Sequence, residues 1–394
     1  MGEYYFNLPA LATPPLTRDQ RSAIYLPTPI ALSGGPGTGK SVVSLYRHLI
    51  KSSNGGNCQL LTYTTTLALY LQECCRQQNP AAAANVKTTL SWAVFGNPPS
   101  RDEIIIDEAQ DLKYIYRDAQ SGRHYFESEV LFVNGDYFLR VERKDNTYKF
   151  VNSNLDCQAA HTLSHNGFYY FKNTVINQID IYRKLKAKFS ISYGADTAQM
   201  LLNGSTEDEL KNIFTDNQVF RLSKNFRNTK KILKLAKALF PSSAVSENDI
   251  ENCTREGELP IFHIANFEKQ DKLVLDIIAA LPTEAHNIDI LCPWQSNVKH
   301  FYDLIRIKYP NCSYYISDRQ GIDRISNIHI TTFKSAKGLE FDTVIIPDFH
   351  KSVESIPERF NITWKDYYVA ITRTKSNLYL ISNRAITQIN NLVE

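Results

Sequence analysis

The chain has 394 residues, too many for one ordinary core, so two main domains are expected. Its apolar fraction of 43% and charged fraction of 22% are those of a soluble globular protein, and a net charge of +3 excludes neither nucleic acid nor small molecules as partners, since any basic surface is then local. No stretch approaches the roughly 20 apolar residues that span a bilayer, and the start, MGEYYFNLPALATPP, lacks the basic residues and long apolar run of a signal peptide. A cytoplasmic protein with no membrane contact is the expectation.

Seven cysteines, an odd number with no Cys-x-x-Cys pair, suit a reduced, intracellular compartment. Cys157, His161 and His165 would share a face on a helix, but no fourth metal ligand is evident nearby. Ordinary loop or core residues are the simpler reading. The sequence holds no internal repeat and no low-complexity linker.

In chain order, Leu16 to Ile24 reads as the start of a helix, with Gln20 able to read adenine through an amide that both donates and accepts. Ile30 to Leu32 reads as a short buried strand. Gly34 to Ser41, GGPGTGKS, then match G-x-x-x-x-G-K-S, and a helix follows with Val42, Val43, Leu45 and Leu49 on its apolar side. Strand, glycine-rich loop and helix in that order are the context that makes the match a P-loop. Gly34, Gly35, Pro36, Gly37, Thr38 and Gly39 offer backbone N–H groups to phosphate oxygens, helped by the helix N-terminus. Lys40 reaches the β- and γ-phosphates, and Ser41 is placed to ligate Mg²⁺.

Gln59 to Leu71 begins as a strand and continues as a helix, with Tyr63 and Thr64 at the changeover. Val86 to Phe95 offers Thr88 and Trp92 in a similar place. Hydroxyls suit phosphate contacts and aromatics suit base stacking, although core packing is the competing reading. Ile104 to Ile106 then run into Asp107 and Glu108, in IIIDEAQD. A buried strand that ends in two acids is what a P-loop needs: Asp107 for the metal, Glu108 to activate the attacking water.

Residues 115–172 read as a β-rich insertion. A hairpin turns at Asn134-Gly135, a third strand covers Thr147 to Val151, and FYYF at 168–171 ends the segment. Arg140, Arg143, Lys144 and Lys149 with the aromatics suit nucleic acid. Tyr and Phe suit equally a protein partner or simple packing. Lys188 to Met200 is a further strand with Gln199 at its polar end. Phe220 to Leu239 is a strand end and a helix, with Phe226 and Arg227 near the start. Asn327 to Pro347 holds two β-rich runs around SAKGLEF, and Asp366 to Ile381 reads as a helix bearing Arg373, then a strand. Arginines so far from the P-loop suggest a second domain that closes on ATP.

GGPGTGKS (34–41), DEAQD (107–111), TTFKSAKGLEF (331–341) and YVAITR (368–373), in this order and at these separations, resemble superfamily 1 helicases of the UvrD/Rep/PcrA type. The resemblance covers most of the chain. It implies an α/β fold of two RecA-like P-loop NTPase domains with parallel sheets, here residues 1–215 and 216–394, with the insertion in the first. It implies ATP and Mg²⁺ as ligands, with Gln20 reading adenine and Phe226 stacking on it. Glu340 would approach the ribose. Lys40, Asp107, Glu108, Gln199, Arg227 and Arg373 would form the catalytic set, with Ser41 and Asp107 on the metal. Tyr63, Thr64, Thr88, Trp92, Thr332 and Ser335 would touch single-stranded DNA. Movement would run 3′ to 5′.

Three departures qualify that. Trp92 and Asp107 are too close for the family's accessory insertion before DEAQ, and residues 227–332 leave little room for a second one. MLLNGST follows Gln199 where the family has a Trp-Arg pair that helps hold the strand. The segment 115–172 is additional. The leading reading is an ATP-dependent DNA helicase or translocase, by analogy the motor partner of a nuclease in bacterial repair or antiphage defence, with 115–172 available as a partner-docking module. The alternative is a regulatory, nucleic-acid-sensing ATPase subunit that does not itself unwind. An RNA helicase is less favoured, because DEAQD and KGLEF resemble the DNA-directed branch.

Overall fold

The computed structural model describes residues 3–6, 8–12, 14–93, 99–119, 122–126, 129–144, 147–150, 156–157, 162–165, 168–173, 176–196, 199–200, 204–240, 245–282, 285–316, 322, 324–349 and 364–394. The chain opens on α1 (Arg18–Tyr25), whose start is fixed by a capping box in which Thr17 and Gln20 satisfy each other's backbone N–H. Strands β1 (Ile30–Ser33), β2 (Cys58–Thr62), β3 (Val86–Thr88) and β4 (Glu103–Ile106) follow, with α2 (Lys40–Ser53) after β1 and α3 (Thr65–Gln78) after β2. β2 and β4 are buried along their whole length, as befits strands covered by helices on both faces.

Next comes the insert, nine strands long among the described residues: β5 (Tyr114–Asp118), β6 (His124–Phe126), β7 (Val130–Val133), β8 (Asp136–Lys144), β9 (Thr147–Phe150), β10 (Asp156–Cys157), β11 (Thr162–His165), β12 (Phe168–Asn173) and β13 (Ile176–Asp180). All pairing within it is antiparallel. β5 sits between β13 and β6, and long β8 pairs with β12 on one edge and with β7 and then β9 on the other. The β7–β8 hairpin turns at Asn134 and Gly135 as expected; both have positive φ, 51° and 86°, which matches the strand twist. β13 pairs with β5 from Ile176↔Asp118 to Asp180↔Tyr114, so the insert extends to Asp180 rather than ending at 172. Cys157 lies on β10 and His165 on β11, which removes the helical face expected for them with His161; His161 itself lies outside the described residues.

β14 (Ile191–Ala195) and β15 (Gln218–Arg221) return to the first sheet and complete an all-parallel order β15-β1-β14-β4-β2-β3. The expected domain boundary at 215/216 therefore falls before the first sheet's last strand in the sequence. The remaining strands, β16 (Ile261–Ile264), β17 (Ile288–Cys292), β18 (Ser313–Tyr315), β19 (Ile328–Thr332), β20 (Phe341–Ile346) and β21 (Thr374–Ser382), form a second parallel sheet in the order β16-β21-β20-β17-β19-β18. Two parallel α/β sheets of this kind are the RecA-like fold. The helix expected to bear Arg373 spans Trp364–Thr372 and stops one residue short of it.

Parallel strands deliver all their carboxyl ends to one edge, and side chains collect there for binding. Apolar packing continues from one lobe to the other: Leu67 on α3 presses against Gly338, where a Cβ would collide with its side chain and where φ is 83°. No helix among the described residues is long and apolar enough to cross a membrane.

Candidate functional site

Residues 34–39 turn from β1 into the first turn of α2. At Gly37 φ is 68°, and a Cβ would stand 2.6 Å from Asn225 Oδ1, so a side chain there is both strained and obstructed. Gln20 is buried and braces the loop: Nε2 donates to Thr38 O at 2.9 Å while Oε1 accepts from Thr17 N at 2.8 Å. One N–H and one lone pair of its amide remain for a ligand. Lys40 Nζ donates to Gly34 O at 2.6 Å and Gly35 O at 2.9 Å, and Asp196 Oδ2 lies 3.5 Å away.

β4 ends beneath this loop. Asp107 is buried; Ser44 Oγ donates to its Oδ1 at 3.3 Å, and Oδ2 has no hydrogen-bond partner among the described residues. Burial, then the neighbouring Glu108 charge, push its pKa up to about 7, against the pull of Ser41, Lys40 and Ser44. Glu108 holds a left-handed backbone, φ 58°, of the kind that clusters at functional sites. Burial would raise its carboxyl too, but Lys337, Lys40 and Arg373 outweigh burial and hold it down near 2. Adjacent acids are thus driven to opposite protonation tendencies. An unpartnered buried carboxylate oxygen beside Ser41 suits a divalent ion that takes its other ligands from phosphate and water, which is how Mg²⁺ is usually held.

The second lobe supplies the facing wall. Arg373 is fully buried, with Nε on Val369 O at 3.1 Å and Nη2 on Gln199 Oε1 at 2.6 Å. Gln199 in turn donates from Nε2 to Asp196 Oδ2 at 2.9 Å. Burial and then Arg227 push the Arg373 guanidinium down from its ordinary value, while Glu108 and Glu340 favour its charge. Arg227 Nε pairs with Glu340 Oε2 at 3.0 Å. Between the lobes lies a cavity of about 260 Å³, lined by Gln20, Gly37, Thr38, Gly39, Lys40, Ser41, Glu108, Gln199, Phe226, Arg227 and Glu340. Gly34, Gly35, Pro36, Asp107 and Arg373 are not part of that lining.

Several residues in or around this wall carried no role in the sequence reading. Lys337 is buried and its Nζ reaches Asp111 Oδ1 at 2.8 Å, Glu108 Oε2 at 3.5 Å and Gln199 O. It ties the second lobe to both acids of DEAQD that follow Asp107. The signal was present, a lysine inside SAKGLEF and an acid closing DEAQD, but their pairing spans 226 positions. Tyr70 and the N-terminal Leu8, Pro9 and Leu16 add apolar surface to the cavity.

The strand-contact candidates do not gather into one open track. Trp92 is 9% exposed and packs on Phe189, ring centroids 5.7 Å apart, so it belongs to the core of the first lobe rather than to a stacking surface. Tyr63 is half-buried against the same core. Thr64 caps α3 through a 3.2 Å bond from Leu67 N, and Thr88 Oγ1 is bonded to Ser91. Thr332 Oγ1 and Ser335 Oγ bond each other at 3.0 Å, and Ser335 O accepts from Thr66 across the lobe boundary at 2.6 Å. Tyr63, Thr64, Thr88, Thr332 and Ser335 do all lie at or just past the carboxyl ends of β2, β3 and β19.

Residues 312–385, which carry SAKGLEF and YVAITR, match the model of the UvrD-like helicase C-terminal domain. Over these motifs the chain resembles the UvrD-like helicases of superfamily 1. A protein of Acanthamoeba polyphaga mimivirus, named provisionally as an ATP-dependent DNA helicase, is 27% identical over 191 residues, covering 44% of this chain and 26% of that relative. The chain thus matches about a quarter of that relative's length. Among solved structures, the C-terminal domain of a possible DNA helicase from Lactobacillus plantarum WCFS1 is 19% identical with a TM-score of 0.31, covering 42% of this chain and 93% of that one. Arterivirus nonstructural protein 10, a helicase, is 12% identical with a TM-score of 0.39, covering 96% of this chain and 64% of that one.

Proposed function

We propose that this UvrD-like chain hydrolyses ATP to ADP and phosphate in the cavity between its lobes and uses the cycle to move along single-stranded DNA. One observation carries the reading: Lys40, Glu108 and Gln199 of the first lobe and Arg227, Phe226 and Glu340 line a single cavity, with Arg373 bonded to Gln199 and Asp107 next to Glu108. In this reading residues 34–41 cradle the phosphates, and Gln20 and Phe226 hold the adenine while Glu340 meets the ribose. Ser41 and Asp107 would hold Mg²⁺, which would supply positive charge to the phosphates. Glu108, kept ionised by three cations, accepts a proton from the attacking water. Arg227 and Arg373 stabilise charge on the transferring phosphoryl, and Gln199 relays its presence to Arg373. The two motor domains are residues 1 to about 221 and the remainder, with the insert borne by the first. Movement 3′ to 5′, and service as motor for a nuclease, are the readings the family resemblance favours.

A second reading, a regulatory ATPase that senses nucleic acid without unwinding it, is favoured by one observation. Trp92 is committed to the core, and the hydroxyls of Thr64, Thr88, Thr332 and Ser335 are engaged in their own turns. Steady-state ATPase with and without single-stranded DNA separates the two, with Lys40→Ala as the blank. Strong stimulation supports the translocase. Hydrolysis indifferent to DNA supports the regulatory subunit, whose activator is then sought among proteins that bind the insert. Lys40→Ala turning over like wild type overturns both.

A further inference from the structure

Two buried asparagines, Asn225 and Asn228, lie between the phosphate loop and the strand that follows Arg373. Every polar hydrogen of both amides has an acceptor. Asn225 Nδ2 donates to Pro36 O at 2.8 Å and to Asn228 Oδ1 at 3.2 Å. Asn228 Nδ2 donates to Thr372 O at 3.0 Å and to Thr374 O at 2.8 Å, the carbonyls on either side of Arg373. Asn225 Oδ1 accepts from the backbone N–H groups of Arg227 and Asn228 at 3.0 and 2.9 Å, which fixes the turn that carries both side chains. Phe226 N donates to Gly37 O at 2.9 Å, a second tie from the same turn to the loop. An unbroken line of hydrogen bonds therefore runs from the phosphate loop to the backbone of Arg373.

A buried asparagine often does no more than close a turn, and Asn225 does close one. Asn228 does something a turn does not need. Its two N–H groups grip two carbonyls 144 and 146 positions away, one on each side of a single arginine. Its amide oxygen is held by the residue that grips Pro36. We propose that Asn225 and Asn228 form a strut that sets the distance between the phosphate loop and Arg373, and so are positioning residues for hydrolysis. The inference rests on the hydrolysis reading above and adds to it the device that keeps the arginine in range.

Misplacing a catalytic group by about 1 Å costs on the order of 10²-fold in rate. Asn228→Ala should therefore lower kcat by roughly 10²-fold while leaving KM for ATP and affinity for ADP near wild type, since the loop itself is intact. Arg373→Ala alone should lose about 10³-fold or more, and adding Asn228→Ala to it should lower kcat no further, because the strut acts through Arg373. If Asn228→Ala does not fold, as thermal melting will show, Asn225→Ser cuts the same line at Pro36 and should lower kcat likewise, with KM for ATP free to change because Asn225 also holds the loop and the turn of Phe226 and Arg227. Wild-type kcat in folded Asn228→Ala or Asn225→Ser, or a loss that multiplies that of Arg373→Ala, overturns the strut. If Arg373→Ala hydrolyses like wild type while Lys40→Ala is dead, the role given to Arg373 falls and the strut with it.

Discussion

Asp107 and Glu108 are neighbours in sequence and opposites in environment. Asp107 sits under α2 with one oxygen unpartnered, and burial raises it; Glu108 faces Lys337, Lys40 and Arg373, which keep it ionised. The cations keep Glu108 ionised at neutral pH and so able to orient and accept from the attacking water, while the unpartnered oxygen of Asp107 is the one suited to a metal ion. Glu108→Gln keeps the shape and removes the base. It should bind ADP like wild type yet lose turnover by roughly 10²–10⁴-fold, the usual worth of a positioned base. Single-turnover measurement checks this, and retained turnover would move the base elsewhere. Trp92 invites the opposite test. Packed on Phe189, it is core, so Trp92→Ala should destabilise the first lobe by about 3–5 kcal/mol. Trp92→Phe should fold and bind single-stranded DNA as wild type does. A drop in strand affinity for folded Trp92→Phe, with stability unchanged, would restore the indole as a stacking platform.

At the scale of the element, what was legible from sequence was what neighbours in sequence decide. β1, the phosphate loop and α2 follow one another directly, so glycine spacing and apolar runs sufficed. The Asn134-Gly135 hairpin is equally local. Trp92 was not legible, because the ring that claims it, Phe189, lies beyond the whole insert. Lys337 was overlooked for the same reason, its acids lying in the other lobe. β19 shows a further kind of hidden constraint. His329 is buried in it, with Ser313 Oγ 2.8 Å from Nδ1 and no hydrogen-bond partner for Nε2 among the described residues. Burial lowers its pKa from 6.5 to about 3. Between those values the unfolded chain binds the proton and the folded chain does not, so stability rises with pH. The contribution is complete above pH 6.5 and is lost as pH falls toward 3. His329→Gln has no such proton to bind. The stability of wild type relative to His329→Gln, from urea unfolding, should therefore be lower at about pH 4.5 than at about pH 7. A difference that stays constant would mean the imidazole is solvated in the fold.

At the scale of the whole molecule, two kinds of junction coexist. The lobes share one apolar core, in which Leu67 packs on Gly338 and α2 and α3 join residues around β20 and the Trp364–Thr372 helix. That continuity, with Lys337 on Asp111 and Glu108, makes any change of angle between the lobes felt at the acids. The insert is joined otherwise. Its buried residues Tyr116, Tyr125, Leu139 and Ile176 form a cluster of their own, while Ile115 and Ile179 at its stem pack into the core of the first lobe. Its stem closes where Tyr114 pairs with Asp180. Ile115 pairs with Ile179 and paired strand residues stand about 4.5–5.5 Å apart, so a short glycine link can replace residues 116–178 and leave both isoleucines in the first lobe's core. A module with its own core and a closed stem should be removable. The deleted chain should fold, bind ADP and keep basal ATPase activity close to that of the whole chain. What it should lose is whatever the insert alone recognises. If single-stranded DNA still stimulates the deleted chain, the strand path lies on the two lobes and the insert answers to a protein. If stimulation disappears while basal hydrolysis stays, the insert's aromatics and basic residues take the strand. Loss of basal hydrolysis in a deleted chain that still melts cooperatively would contradict the separation itself, and would make the insert part of the machinery that holds Asp111 and Glu108 in place.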